Sequence, residues 1–500
     1  MDRTILNENS NDPVEHIRTA LIGQGQMIRT PVGEHGLLYA DYTASGRGLV
    51  TVERQIDRLM ADYANPHSID SLTGRRAGRW LHEARARIKA AINACEDDAL
   101  ILCGAGATAG IHKLQEILGL VLPPATAQRL SVKPANRPVV FVGPYEHHSN
   151  ELSWRESLAE VVAIPLDKSG GIDLAALERA LNDPAYLTRQ KIGAFSAASN
   201  VTGVETDVPA LARLLHRYDA ILCLDCAASA PYRPIDMHPK GDPMAAIDAV
   251  YFSPHKFIGG PGACGVLALN KALYRQDLPP TQCAGGTVRY VWKDGHDFIE
   301  DVEAREQAGT PGLPQIVRAA LALQLQAEVG FDTIETRERR YLRQAFSAWH
   351  DNPNVEILGP ADPERRLGIV AFNILDADGV RISPRLVTAL LNDFYGIQTR
   401  AGCSCAGPYG HDLLQIGEAE TADIRRRVLS GETGARPGWC RLSLHWAMSQ
   451  DEVARIISAV EHIACEAEAM AEDYRSDPVE GSWMHRRQRS EAPVMPQRLI

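Results

Sequence analysis

The sequence predicts an α/β protein: a large domain built on a mostly parallel sheet, followed by a smaller α+β domain. Three observations predict it. Short apolar runs with strand character alternate with helical stretches between residues 99 and 269, the pattern of strands joined by helical crossovers. The first of these runs, Ala99-Leu-Ile-Leu-Cys103, passes through the tight turn Gly104-Ala105-Gly106-Ala107-Thr108 into apolar residues spaced as a helix at 111, 114, 117, 118 and 121. From about Glu335 the alternation stops, and two long helices with isolated strands between them follow. At 500 residues and 45% apolar content, the chain can bury cores for two or three domains.

In chain order, residues 1–13 are polar and acidic and lack the features of a secretory signal. Strands are expected over 99–103, 139–142, 161–164, 191–195, 221–224, 250–252 and 265–269. These short apolar runs suit a sheet covered on both faces. Helices are expected over 111–120, 174–181 and 210–216. Residues 122–138, rich in Pro, Ala and basic side chains, read as a surface insertion. The smaller domain is expected to hold a helix over 337–349, strands near 368–374 and 440–444, and a helix over 451–468. The tail after Asp477 is Arg-rich and aperiodic and reads as flexible. The resulting division is a large domain over 38–330, a small domain over 331–476 and a tail over 477–500, with 1–37 preceding them. No internal repeat is visible. No run approaches the ~18 apolar residues that span a bilayer, and a net charge of −11 weighs against broad nucleic-acid binding.

Two strand ends carry charge. Lys256 follows the apolar run Ala249-Val-Tyr-Phe252 and precedes the turn Gly259-Gly-Pro-Gly262. An ammonium at the end of a core strand is costly unless it snorkels to water or has a use. One use is as an amine nucleophile of lowered pKa that forms a Schiff base with an aldehyde cofactor. Asp225 ends the run Ala220-Ile-Leu-Cys-Leu-Asp225. Alone it is an ordinary cap or turn residue. Beside Lys256 it becomes a partner for a protonated pyridine nitrogen. The turn at 104–108 opens a helix, whose N–H groups and Thr108 hydroxyl suit a phosphate. Its G-x-G-x-x-x-G spacing misses the dinucleotide fingerprint by one residue.

Together with Arg400-Ala-Gly402-Cys403-Ser-Cys405-Ala406, these segments resemble the class V aminotransferase group of fold-type I pyridoxal-phosphate enzymes, in its cysteine desulfurase and selenocysteine lyase branch. The Arg-x-Gly-Cys-x-Cys run also resembles the desulfurase domain of molybdenum cofactor sulfurases. The resemblance runs from about Leu38 to about His462. It implies a seven-stranded, mostly parallel sheet, with residues 1–37 packing on the small domain. It implies pyridoxal 5′-phosphate bonded to Lys256, with Asp225 at the pyridine nitrogen and His147 stacked on the ring. Ala107, Thr108, Ser253 and His255 would hold the phosphate, and Thr310 would reach the phosphate of a neighbouring subunit in a homodimer. Asn200 would lie near the ring hydroxyl and the substrate carboxylate. Arg441 would grip an amino-acid carboxylate, with Arg400 as a second arginine. Ala44, Asn65 and His67 would line the substrate side. The desulfurase pattern carries Gln where Asp225-Cys-Ala-Ala228 has Ala228, and Ser229 is the candidate substitute.

The ten cysteines suit a reducing cytoplasm, since four of them, Cys103, Cys223, Cys264 and Cys440, sit in apolar strands. Cys223-x-x-Cys226 has metal-like spacing, but no second pair completes a set and no metal is expected. Cys403 and Cys405 differ, lying in a glycine-rich loop beside Arg400. A neighbouring guanidinium favours the thiolate. By register with the family, Cys405 is the nucleophile. An extended loop would point Cys403 the same way, as a partial substitute, a resolving thiol or a metal ligand. The implied activity is L-cysteine to L-alanine with sulfur left on Cys405 as a persulfide and passed to an acceptor protein. Alternatives within the family are a C–S or selenocysteine lyase, an amino-acid epimerase and an aminotransferase. A non-catalytic scaffold is opposed by the intact Lys256, Asp225, His147 and Arg441.

Overall fold

The computed structural model describes residues 12–128, 137–477 and 479–488. Expectations for residues 1–11, for 129–136 of the insertion and for 489–500 of the tail lie outside the described residues.

Seven strands form the central sheet: β1 (Asp98–Cys103), β2 (Val139–Val142), β3 (Glu160–Ala163), β4 (Lys191–Ser196), β5 (Ala220–Asp225), β6 (Ala249–Phe252) and β7 (Gly265–Asn270). Their order is β1-β7-β6-β5-β4-β2-β3. The pairs β2/β3, β2/β4, β4/β5 and β5/β6 are parallel. β7 is antiparallel to both β6 and β1. Six strands therefore run the same way, and their carboxyl ends meet on one edge, where ligands bind in such sheets. The expected α/β class and mostly parallel sheet are observed, with each strand within one residue of its expected bounds.

Caps and small first-turn residues set where the helices begin. α1 (Leu72–Ala91) starts at Ser71, whose hydroxyl accepts from Gly74 N at 3.0 Å. α2 (Gly106–Ile117) opens on small residues that carry no periodic signal, five residues before Ile111. α3 (Leu174–Leu181) is capped by Asp173. α4 (Val208–Arg217) is capped by Asp207, which accepts from Ala210 N at 3.0 Å, with proline in the first turn. α2 covers one face of the sheet, where Ile111, Leu114, Tyr251 and Leu267 share a buried cluster. On the other face, α1 and α5 (Leu313–Val329) pack in the larger core with Phe252, Val266 and Leu224.

After α6 (Phe331–Trp349) comes a four-stranded sheet of β8 (Val355–Ile357), β9 (Ile369–Ile374), β10 (Arg400–Gly402) and β11 (Trp439–Ser443), in the order β8-β9-β11-β10. All its pairings are antiparallel. α7 (Pro384–Tyr395) and α9 (Gln450–Ala471) back it; α8 (Gly407–Leu414) follows the Cys403–Cys405 loop. α9 begins with a Ser449/Glu452 capping box. The N-terminal segment reaches these elements: Leu38–Tyr39 pairs in parallel with Ile397–Gln398, and Thr30 Oγ1 donates to Asp393 O at 2.7 Å.

Part of the stretch expected as a flexible tail is instead a hairpin, β12 (Tyr474–Ser476) with β13 (Trp483–His485). Trp483 Nε1 donates to Ser383 Oγ at 3.1 Å, and His485 is buried. Aromatic anchors inside the Arg-rich stretch supply the burial that composition alone did not show.

Candidate active site

The carboxyl edge of the large sheet and β10–β11 of the four-stranded sheet enclose a cleft of about 210 Å³. Its lining includes Ala44, Ala107, Thr108, His147, Asn200, Asp225, Ser253, His255, Lys256, Arg400, Cys405 and Arg441, residues that span the sequence from 44 to 441.

The cradle lies between the start of α2 and the turn after β6. Ala107 N donates to Ser253 Oγ at 2.8 Å, and the Thr108 and Ser149 hydroxyls meet at 2.8 Å. Gly106 has φ +59°, and a Cβ there would lie 2.6 Å from Ser253 Oγ and 2.9 Å from His255 Cε1. Both the backbone and the available space require glycine. With three hydroxyls, an imidazole and a helix N-terminus, the cradle fits a phosphate. Gly106→Ala is expected to weaken cofactor retention by ~10-fold or more while leaving the fold intact. Cofactor release on dialysis and a circular-dichroism melt check this, and retention equal to wild type would refute the cradle.

Lys256 is half-buried, and its desolvation in the cleft, with Arg441 and Arg400 nearby, lowers its pKa to about 8, against the opposing pull of Asp225 and Asp41. Asp225 is raised by burial, while a hydrogen bond from Ala227 N (2.8 Å) and the charge of Lys256 pull the other way. His147 is pushed down to about 4 by burial and by Lys256. Its Nδ1 accepts from Ser149 N at 3.1 Å, so the neutral ring carries its proton on Nε2. An uncharged ring suits stacking on an aromatic cofactor. Beneath it Glu146 is buried and held by Ser196 N (2.8 Å), Ser196 Oγ (2.6 Å) and Asn150 Nδ2 (2.7 Å), a support that the sequence did not reveal.

On the side of the four-stranded sheet, Arg400 and Arg441 are direct cross-strand neighbours. Two like charges so placed repel. One is matched: Arg441 Nη2 meets Asp41 Oδ1 at 3.1 Å, and Nη1 donates to Asn200 O at 2.8 Å. Arg441 Nε and Asn200 Oδ1 remain buried without partners. The excess positive charge and the unpaired Arg441 Nε–H donor fit a bound carboxylate, whereas the Asn200 Oδ1 acceptor suits a hydrogen-bond donor.

The thiol loop is short and pinned. Asn200 Nδ2 donates to Ser404 O at 2.8 Å, His148 N to Cys405 O at 2.8 Å, and Gly407 N to His148 Nε2 at 3.0 Å. Ser404 and Cys405 both have left-handed backbone, φ +51° and +57°. The loop is thus a tight turn and not an extended segment, and Cys403 does not share the position of Cys405 in the cleft lining.

One further expectation changes. Ser229 is buried and its hydroxyl turns to Cys226 O at 3.5 Å, away from the cleft, whereas Ala228 lines it. Ser229 therefore does not replace a glutamine at 228. Asn65, His67 and Thr310 are exposed and lie outside this cleft; Asn65 Nδ2 donates to Thr310 Oγ1 at 3.1 Å. They form their own group on the surface of the chain.

The profile of the family described as aminotransferase class-V matches residues 38–456. A cysteine desulfurase of Dickeya dadantii is 26% identical over 462 residues, covering 91% of this chain and 98% of that protein. A probable cysteine desulfurase of Halalkalibacterium halodurans is 28% identical over 377 residues, 74% of this chain and 84% of that one. Among solved structures, the cysteine desulfurase of Thermococcus onnurineus superposes with a TM-score of 0.70 at 22% identity, covering 90% of this chain and 98% of its own. An Escherichia coli cysteine desulfurase gives 0.67 at 22%, over 92% and 100% of the two chains.

Proposed function

Because the chain belongs to the class-V aminotransferase family, we propose that it is a pyridoxal-phosphate-dependent cysteine desulfurase that converts L-cysteine to L-alanine and keeps the sulfur on Cys405. The observation that carries this reading is Cys405 in the same cleft as Lys256, Asp225 and Arg441. The α2 cradle would hold the phosphate, Asp225 the pyridine nitrogen, His147 the ring face and Lys256 the aldehyde carbon. Bound there, the cofactor withdraws electrons from the substrate α-carbon.

The chain's own groups do the rest. Arg441, with Arg400 beside it, fixes the substrate carboxylate. Lys256, neutral above about pH 8, removes the α-proton and returns a proton to carbon. The Cys405 thiolate forms an S–S bond to the substrate sulfur. The C–S bond breaks with its electron pair left on the β-carbon, which takes a proton and becomes the methyl group of alanine. In sum, L-cysteine and the Cys405 thiol give L-alanine and a Cys405 persulfide, with no external oxidant or reductant. Because the loop is pinned, the sulfur acceptor, read as a protein, has to come to the cleft. Product analysis with L-cysteine tests the reading. Alanine in equal amount to persulfide plus sulfide supports it; pyruvate and ammonia would make the protein a lyase.

Ala228, with no polar side chain where a glutamine was expected, favours a second reading of the same cleft as a C–S or selenocysteine lyase, an epimerase or an aminotransferase. A D-amino acid or a keto acid among the products would select between the latter two.

The active form is read as a homodimer in which Thr310 serves the neighbouring site. A hairpin, Val288–Trp292 with Gly295–Phe298, exposes Tyr290 (63%), Val291 (58%) and Trp292 (46%), an apolar surface of the kind that marks an interface. Its base is joined to the Thr310 turn, with Gly309 N donating to Gly285 O at 2.9 Å. Light scattering is expected to give twice the 54.7 kDa chain mass. An active monomer would refute this. The compartment is read as cytoplasmic from ten cysteines that are all free. No helix among the described residues is long and apolar enough to cross a membrane.

A further inference from the structure

We propose that Cys95, Asp98 and His238 form a zinc site, one ion per chain, at the end of the large sheet opposite the cleft. This goes beyond the proposed activity and does not depend on it. One sulfur, one carboxylate oxygen and one ring nitrogen from these residues lie within 4.8 Å of one another. Tetrahedral zinc with bonds of about 2.0–2.3 Å holds two ligand atoms ~3.3–3.8 Å apart, so side-chain shifts of about 1 Å would close the site. The donors come from three separate elements. Cys95 lies in the turn after α1, Asp98 opens β1 and His238 lies in the β5–β6 connection.

Asp98 supplies the second, independent observation. Its side chain is fully buried (0% exposed). Oδ2 accepts from Cys95 N at 2.8 Å and lies 2.6 Å from His238 Nε2. Oδ1 has no partner at all. A buried carboxylate oxygen left unpaired is unfavourable, and a cation bound to it removes that penalty. Lys89 does not fill the role: its Nζ is spent on Asp98 O at 2.9 Å and on Glu303 at 2.6 Å. Zinc would take the place of the proton between His238 Nε2 and Asp98 Oδ2, with Oδ1 free to coordinate. A thiolate, a carboxylate and a neutral imidazole carry two negative charges, which match Zn(II). The mixed S, N and O set suits zinc and not the all-oxygen preference of calcium or magnesium. Water completes the tetrahedron.

The ligand-bearing segments are already held together. Met237 N donates to Ile92 O at 3.1 Å, and Asn93 Nδ2 reaches Asp236 Oδ1 at 2.7 Å and His238 O at 3.1 Å. A preorganised site binds more tightly. Since β1 spans ~17 Å between Asp98 and the turn that leads to the cradle, the ion is structural. It ties α1, β1 and the β5–β6 connection together.

The test uses holoenzyme stripped by a chelator and titrated with Zn(II), with Co(II) as the spectroscopic probe. One equivalent per chain is expected, with a thiolate-to-cobalt charge-transfer band and a Zn(II)-dependent rise in Tm. Cys95→Ser should remove the band, weaken Zn(II) binding by ~100-fold or more and abolish the Tm shift. His238→Asn, a second variant, should weaken binding while keeping the thiolate band. The Cys403→Ser/Cys405→Ser double variant should keep the band. Loss of the band in that double variant with retention in Cys95→Ser would place the ion at the cleft thiols and overturn the proposal. So would a wild-type protein that binds neither metal stoichiometrically.

Discussion

Lys256→Ala is expected to abolish covalent attachment of the cofactor and to lower turnover by ~10⁴-fold or more, because one residue serves as both covalent anchor and proton carrier. The environment makes lysine effective there. Desolvation in the cleft and two nearby arginines bring its pKa to about 8, against 10.5 for a free lysine. The sign follows from charge. At pH values above about 8 the neutral amine, the nucleophile and base, predominates, and below it the ammonium does. In cofactor-free protein, isotope-labelled reductive methylation followed by NMR should show one lysine titrating near pH 8. Borohydride reduction of the holoenzyme and peptide mapping should place the pyridoxyl label on Lys256. A label on another lysine, or a Lys256 titrating with the surface lysines, would remove the residue from its role. Alanine leaves a cavity beside Asp225 but no unpaired donor, so a normal melt should accompany the lost activity.

Part of this cleft was legible because Asp225, Lys256 and the cradle follow local signals, whereas His147 and Asn200 came only with the family resemblance. Asp225 and Lys256 sit just past apolar strands, and the cradle is a strand, a glycine turn and a helix in succession. A parallel sheet gathers such strand ends on one edge, so three local motifs became one site. What escaped depended on pairing across the chain. Asp41 and Arg441 are 400 residues apart, and His148 meets Gly407 across 259. Neither contact leaves a trace in its own neighbourhood. Ser229 looked equivalent to a glutamine one position away, but the turn after β5 directs its hydroxyl to Cys226 O. The β12–β13 hairpin rests on Trp483 and the buried His485, anchors that the Arg-rich surroundings hid. The zinc ligands are likewise split, with His238 140 residues from Asp98, so no spacing motif announced them.

The Cys-Ser-Cys run is where local inference failed most clearly, and it sets the sharpest test. In an extended strand, residues two apart face the same way, which would make Cys403 a substitute for Cys405. Two consecutive left-handed residues, Ser404 and Cys405, break that relation. Left-handed backbone at non-glycine residues costs ~1 kcal/mol or more each, and two hydrogen bonds to the loop carbonyls, from Asn200 Nδ2 and His148 N, hold it in place, while Gly407 N donates to His148 Nε2 just beyond it. The arrangement fixes one thiol in the cleft and leaves the other out of its lining. Cys405→Ser is therefore expected to lower alanine and persulfide formation from L-cysteine by ~10²–10³-fold, since a serine hydroxyl is not ionised at neutral pH and does not attack sulfur as a thiolate does. Serine meets the same backbone cost as cysteine, so the fold and cofactor spectrum should be unchanged. Cys403→Ser should keep turnover within about two-fold of wild type, because a change outside the lining removes no reacting group. Steady-state turnover of both variants and mass spectrometry of the loop peptide after one turnover provide the check. A Cys405→Ser enzyme at full speed would transfer the case to the lyase, epimerase or aminotransferase reading. Two inactive single variants would mean that the thiols act as a pair, with the turn opening during the reaction.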